Sequence, residues 1–209
     1  MSNAVLLAII ALVTAYLMGS FPMAYVIGRR RKRIDIRQVG TRNMGAMNVF
    51  YQVGFWAGIL VLAVDIGKGA AAVALARWLG VTLSVELLAG AVAVIGHGFP
   101  VFLRFRGGRG GATCIGILAF LMPRGIPLYL TVFGIMLLLT RFPTLSYSVA
   151  FLIYPFTAWL IYHRWEYVVF TIGLLLIPLI KYIPRIIEIR TKGGSWRNVL
   201  RRKDLKERY

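Results

Sequence analysis

Apolar residues run along this chain in long blocks, broken by short polar segments rich in glycine and arginine. Residues 4–28 form the first block, about 25 residues, enough to cross a hydrocarbon core of ~30 Å. Further blocks at 53–79, 81–105, 110–122, 126–140, 145–162 and 167–182 predict about seven transmembrane helices. The third should bend near Gly96 and Pro100. The fourth is short, so its helix is expected to start inside the loop before it. Residues 34–48 read as a polar, glycine-bearing loop, 141–144 as a tight loop, and 163–166 as a polar turn with Trp165 at the interface. The predicted fold is an all-α polytopic membrane protein: one transmembrane domain over 1–183 and a basic tail over 184–209. In that tail Ser195 offers a cap for a helix that puts Trp196, Val199, Leu200 and Lys203 on one face. A helix on the membrane surface and a solvated tail fit this stretch equally well.

The placement of charge gives the blocks a direction. No basic residue precedes the first block, and Arg29-Arg30-Arg31-Lys32-Arg33 follows it, the reverse of a cleaved signal peptide. With seven spans, Arg37, Arg42, Arg104, Arg106, Arg109, Arg141 and the basic tail join that run on one side. Only Arg77, Arg124 and Arg164 fall on the other. The positive-inside rule then puts the N-terminus outside and the C-terminus in the cytoplasm. The formal charge of +18 sits between apolar blocks that make up most of the chain, with 59% of residues hydrophobic. Anionic membrane lipids and phosphorylated substrates are therefore the expected partners, and nucleic acid is not. The single cysteine, Cys114, permits no intrachain disulfide. No metal-ligand pattern is present, and no cofactor is expected.

Two polar features fall inside or beside the spans. Asp65 and Lys68, three apart, should pair on one helix face, since each alone would cost about 2.5–3.5 kcal/mol at mid-bilayer. After Gly96-His97-Gly98, Arg104, Arg106 and Arg109 interleave with Gly107-Gly108 and Gly110-Gly111. Glycines bring backbone N–H groups close to a ligand, and arginine presents a planar fork of donors, so this stretch reads as an anion-binding loop. Residues 40–48 and 144–148 lie on the same predicted face and add hydroxyls and amides. Preorganised donors of this kind favour group transfer without a covalent intermediate.

Four stretches resemble the bacterial acyl-phosphate:glycerol-3-phosphate acyltransferases, the PlsY family. They are Gly19-Ser20-Phe21-Pro22, residues 40–48, Asp65-Ile66-Gly67-Lys68-Gly69, and Gly96-His97-Gly98-Phe99-Pro100-Val101-Phe102 with the Arg/Gly run. The resemblance covers roughly residues 10–150. It implies seven transmembrane helices in the bacterial inner membrane, with the active face cytoplasmic. It also implies transfer of a fatty acyl group from acyl phosphate to the 1-hydroxyl of glycerol 3-phosphate, giving lysophosphatidic acid and phosphate. Carried over by position, Thr41, Arg109 and Thr144 are the catalytic candidates. Asn43, Gly45, Asn48, His97, Arg106, Gly107, Gly108, Gly110 and Thr113 are the substrate-binding ones, with Ser146 as the alternative to Thr144. The chain departs from the pattern in places. Arg42 replaces a glycine, Arg106 and Arg109 replace lysines, Tyr51 stands where the family has arginine, and Lys181-Tyr182-Ile183-Pro184-Arg185-Ile186-Ile187 stands in place of a terminal histidine and asparagine. A different acceptor, or a lipid-binding or transport paralogue without turnover, are the other functions the pattern admits.

Overall fold

The computed structural model describes residues 2–193, so the calls on Ser195, Trp196, Val199, Leu200 and Lys203 lie outside the described residues. Among the described residues every regular element is helical. Five helices are long and apolar enough to span a membrane: Asn3–Lys32, Phe55–Trp78, Leu83–Leu103, Pro123–Thr140 and Trp165–Glu188. The chain forms two compact units, Met1–Leu121 and Met122–Tyr209.

The first unit holds α1 (Asn3–Ser20), α2 (Met23–Lys32), α3 (Ala46–Gln52), α4 (Phe55–Trp78), α5 (Leu83–Gly98), a 3₁₀ turn (Val101–Leu103) and α6 (Gly111–Leu121). Water cannot drive helices together inside lipid, so close backbone approach does the work, and small residues permit it. The core shared by α1, α4 and α5 is made of alanines: Ala11 and Ala15, Ala72 and Ala76, Ala89 and Ala93. A methyl at Gly19 would strike the Ala93 carbonyl, and one at Gly116 the Ile66 carbonyl. Gly116→Ala should therefore force α6 off α4 and destabilise the protein by about 1–3 kcal/mol. Gly67→Ala, where a methyl meets nothing within 4 Å, is the control. Unfolding of the two variants in detergent checks this: only Gly116→Ala should lower the midpoint.

At the other end of this bundle Arg77 Nη2 pairs with Glu86 at 2.7 Å, and the Arg77 guanidinium lies 4.7 Å from the centre of the Phe120 ring. The segment expected as a loop over 34–48 ends in a helix, α3, which precedes α4. It is less polar in its contacts than its composition suggests. Ile36 and Met44 are buried with Ala24, Ile27, Val49, Val61 and Leu103 in one apolar cluster. Burying each of the two contributes about 1.5–3 kcal/mol and fixes the loop as firmly as a helix.

The second unit holds a 3₁₀ turn (Pro123–Gly125), α7 (Ile126–Thr140), α8 (Pro143–Ala150), α9 (Ile153–Leu160) and α10 (Trp165–Gly193). The block at 145–162, expected as one span, is two eight-residue helices that meet at Phe151-Leu152. α10 does not stop at Tyr182: it continues through Pro178 and Pro184 to Gly193. Each proline removes one backbone donor, a loss that an apolar helix in a membrane tolerates.

Candidate active site

The candidate residues of the first unit sit on two segments, residues 34–48 and 97–113. The first is a folded strap. The Asp35 carboxylate accepts from the Arg37 backbone N–H at 3.0 Å, Nε at 3.0 Å and Nη2 at 2.8 Å. These charge-assisted bonds from Arg37 hold the Asp35 carboxyl below its ordinary pKa. The stabilisation is present at neutral pH and is lost only as pH falls through that lowered value. Arg37 Nη1 also donates to the Leu103 carbonyl at 3.2 Å, tying the strap to the second segment.

Asn48 fixes the remainder of the strap. Its side chain is fully buried. Nδ2 donates to the carbonyls of Ile36 (2.8 Å), Val39 (3.0 Å) and Asn43 (3.1 Å), and Oδ1 accepts from the Thr41 N–H at 3.0 Å. The substrate-contact role expected for Asn48 is not what its amide does: every polar atom is spent on the backbone it shapes. Thr41 and Asn43, held by Asn48, keep their own side-chain polar groups uncommitted among the described residues. Arg42 stands at φ 56, in the left-handed region that favours glycine. This accounts for glycine at the same place in the pattern the chain resembles.

The second segment begins at a buried polar triad. Asp65 Oδ1 lies 2.7 Å from Lys68 Nζ and 3.5 Å from His97 Nδ1, and Lys68 also donates to the Phe21 carbonyl at 3.1 Å. All three side chains are at most 6% exposed. The expected Asp65–Lys68 pair is thus present, and His97 joins it. His97, carried over as a substrate-binding residue and also expected as a structural residue beside the loop, is buried and turned toward Asp65. Its carbonyl accepts the Gly108 N–H at 3.1 Å, and Gly98 accepts the Gly107 N–H at 3.2 Å. The backbone amides of Gly107 and Gly108 therefore point into the fold, contrary to the expectation that they face a phosphate. The reason for glycine here is contact. A methyl at Gly108 would meet His97 Nε2 and the Met44 carbonyl, and one at Gly107 the His97 carbonyl.

The amides that remain belong to α6. Cys114 is its first residue to bond back, to the Gly110 carbonyl at 2.9 Å. This leaves the N–H groups of Gly111, Ala112 and Thr113 without an intrahelical acceptor. Gly110 turns the chain into this helix at φ 92. The Thr113 hydroxyl is fully buried with no hydrogen-bond partner, and Arg109 is half-buried just before it. His97 faces Asp65, ten residues into α4, so the chain leaves α5 roughly 15 Å along α4 from its start. α6 accordingly starts deep, inside the loop as expected, and this explains its 11 residues.

Close packing of Gly108 on the Met44 carbonyl brings the two segments together, so Arg109 and Gly110 follow directly on a residue seated against the strap that carries Thr41, Asn43 and Gly45; Thr113 lies deeper, with its carbonyl against Gly69 of α4. Arg106 lies elsewhere, lining a cleft with Tyr25, Arg37 and Arg104. Thr144 and Ser146 belong to the second unit. There Ser146 is buried and donates to the Phe142 carbonyl at 2.9 Å. The Thr144 hydroxyl has no partner among the described residues, so Thr144 is the better candidate of the two. Arg185, three residues after Tyr182, pairs with Glu188 at 2.6 Å. Sequence reasoning missed the Asp35–Arg37 clamp. A lone acid two residues from an arginine, just after the basic run, is the signal that marks it.

A family model described as glycerol-3-phosphate acyltransferase matches residues 9–192. The chain is 54% identical over 208 residues to glycerol-3-phosphate acyltransferase 2 of Dehalococcoides mccartyi (strain 195), covering 99% of each. It is 43% identical over 141 residues to the glycerol-3-phosphate acyltransferase of Bacillus subtilis (strain 168), covering 68% of this chain and 72% of that one. Its fold is similar to crystal structures of PlsY (YgiH), an integral membrane glycerol 3-phosphate acyltransferase. For the glycerol 3-phosphate form the TM-score is 0.81 at 27% identity, over 90% of this chain and 92% of that one. For the lysophosphatidic acid form the values are 0.79 and 26%, with the same coverage. Apolar helices of spanning length, a family match over nearly the whole chain and end-to-end relatives agree: this chain is an integral membrane member of the glycerol-3-phosphate acyltransferase (PlsY) family.

Proposed function

We propose that the chain transfers a fatty acyl group from acyl phosphate to the 1-hydroxyl of glycerol 3-phosphate at the cytoplasmic face of a bacterial inner membrane. The observation that carries this reading is the seating of Gly108 against Met44. It supports the reading because it seats the residue before Arg109 against the strap that carries the uncommitted Thr41 hydroxyl and Asn43 amide. A helix start is ready to receive an anion, because its amides and dipole both favour negative charge. Arg109 adds a formal positive charge.

In this reading the phosphate of the donor rests on the Gly111–Thr113 amides and Arg109, with Thr41 as a further donor. The 1-hydroxyl oxygen of glycerol 3-phosphate attacks the acyl carbonyl carbon, and the carbon–oxygen bond to phosphate breaks. Inorganic phosphate leaves, and the hydroxyl proton passes to the acceptor's own phosphate. The protein supplies position and charge, not a nucleophile; Cys114 is buried and free. The arginines at the end of the Asn3–Lys32 span support the cytoplasmic placement.

Purified protein given a fatty acyl phosphate and glycerol 3-phosphate should form lysophosphatidic acid and inorganic phosphate in equal amounts. Product from an acyl thioester alone would refute the donor. Acyl-phosphate consumption only with another acceptor would refute glycerol 3-phosphate.

A further inference from the structure

An opening in the first unit is lined by basic side chains, and the acyl-transfer reading does not use it. Tyr25 of α2, Arg37 of the strap, and Phe102, Leu103, Arg104 and Arg106 around the 3₁₀ turn line a half-open cleft of about 420 Å³. None of Thr41, Asn43, Arg109 or Thr113 lines it. Its volume falls in the range of small-ligand sites.

The charges in this cleft are unequal in their commitments. Arg37 is held by Asp35 and the Leu103 carbonyl, so it forms a fixed wall, and its charge is matched by that carboxylate. The side chains of Arg104 and Arg106 make no hydrogen bond or ion pair among the described residues, and both residues are exposed. The Tyr25 hydroxyl accepts from Arg29 Nε at 3.2 Å, which leaves its own proton to donate. Two guanidinium forks and a phenol thus line an opening with no acid paired to them among the described residues, a donor set that suits phosphate oxygens. Arg104 and Phe105 occupy the left-handed region in succession, at φ 53 and φ 60. Such strain persists where the surrounding structure holds it, and here it presents Arg104 at the rim. Phe102 and Phe105, 60% and 59% exposed, stand beside the arginines at the basic end of the Asn3–Lys32 span. Aromatic rings next to basic groups mark the headgroup level of a membrane.

We propose that this cleft binds a phosphate group, carried by the headgroup of an anionic phospholipid of the surrounding leaflet. The site goes beyond the acyl-transfer reading and depends on neither its donor nor its acceptor. The exposed phenylalanines favour a lipid as carrier over free phosphate.

The test uses the full chain in detergent with no acyl donor present. Native mass spectrometry compares retention of phosphatidylglycerol and phosphatidylcholine by the wild type, Arg104→Asn and Tyr25→Leu. Asparagine suits the left-handed backbone at 104 and removes the guanidinium with its charge. The wild type should retain phosphatidylglycerol preferentially, and Arg104→Asn should lower that retention about tenfold, the effect of one lost charge-assisted contact. A parallel arm measures the unfolding midpoint with inorganic phosphate. If phosphate stabilises the wild type but not Arg104→Asn, and no lipid is preferred, the phosphate site stands and the lipid carrier is overturned. Equal lipid retention and equal phosphate response in both proteins would overturn the site itself.

Discussion

Arg109→Ala should lower acyl transfer by about 10²–10³-fold while the protein remains folded. Removing one preorganised group aimed at developing charge typically costs this much. In the proposed reaction the charge that grows is on the departing phosphate, and Arg109 is the formal charge next to the α6 amides. Its backbone neighbours are fixed independently of its side chain: Gly108 by the His97 carbonyl and Gly110 by its turn into α6. The loop should therefore keep its shape when the guanidinium is removed. Arg109→Lys keeps the charge but loses the planar fork, and should retain most of the rate. Steady-state transfer with the unfolding midpoint measured alongside checks both. Near-normal turnover by the alanine variant would take Arg109 out of the mechanism.

Asp65→Asn should lower stability by about 3–5 kcal/mol, more than Gly116→Ala, the cost of leaving a buried charge without its partner. Lys68 is the charge left behind, with its side chain 6% exposed and its neighbours set by α4 and the Phe21 carbonyl. The loss reaches the site as well, because His97 faces the same carboxylate and its carbonyl holds Gly108. The double variant Asp65→Leu/Lys68→Met separates the two effects. Removing both charges should recover much of the stability, because an apolar pair of similar volume can replace a buried ion pair at little cost. It should not restore activity fully, since the carboxylate that His97 faces is gone. Unfolding midpoints in detergent check the ordering. A single variant as stable as the wild type would show that the triad carries no such load.

How much of this was legible in the chain depended on what each residue contacts. Long apolar blocks announced the spans at 3–32, 55–78 and 83–103 because hydropathy alone sets them. The block at 145–162 did not announce its break, since Phe151 and Leu152 are as apolar as the helices they separate. The apolar block ends at Tyr182, yet α10 runs on through Pro184 to Gly193. In the site, residue types were readable and directions were not. Asn48 and the pair Gly107-Gly108 stood out as polar or bare positions in an anion-binding pattern. The structure spends the Asn48 amide on the strap and the two glycine amides on α5. Spacing shows which groups recur together; it does not show which way an N–H points. The Asp65–Lys68 pair was legible because three residues on a helix share a face, while His97 came from another helix and could be placed only by the fold.

The most direct measurement is binding of a non-hydrolysable acyl phosphonate to the wild type, Arg109→Ala and Thr41→Val, read by calorimetry without acceptor. The account predicts that the wild type binds it and that each substitution weakens binding, Arg109→Ala by at least about tenfold, as for loss of a charge-assisted contact. Equal affinity in all three proteins would contradict it.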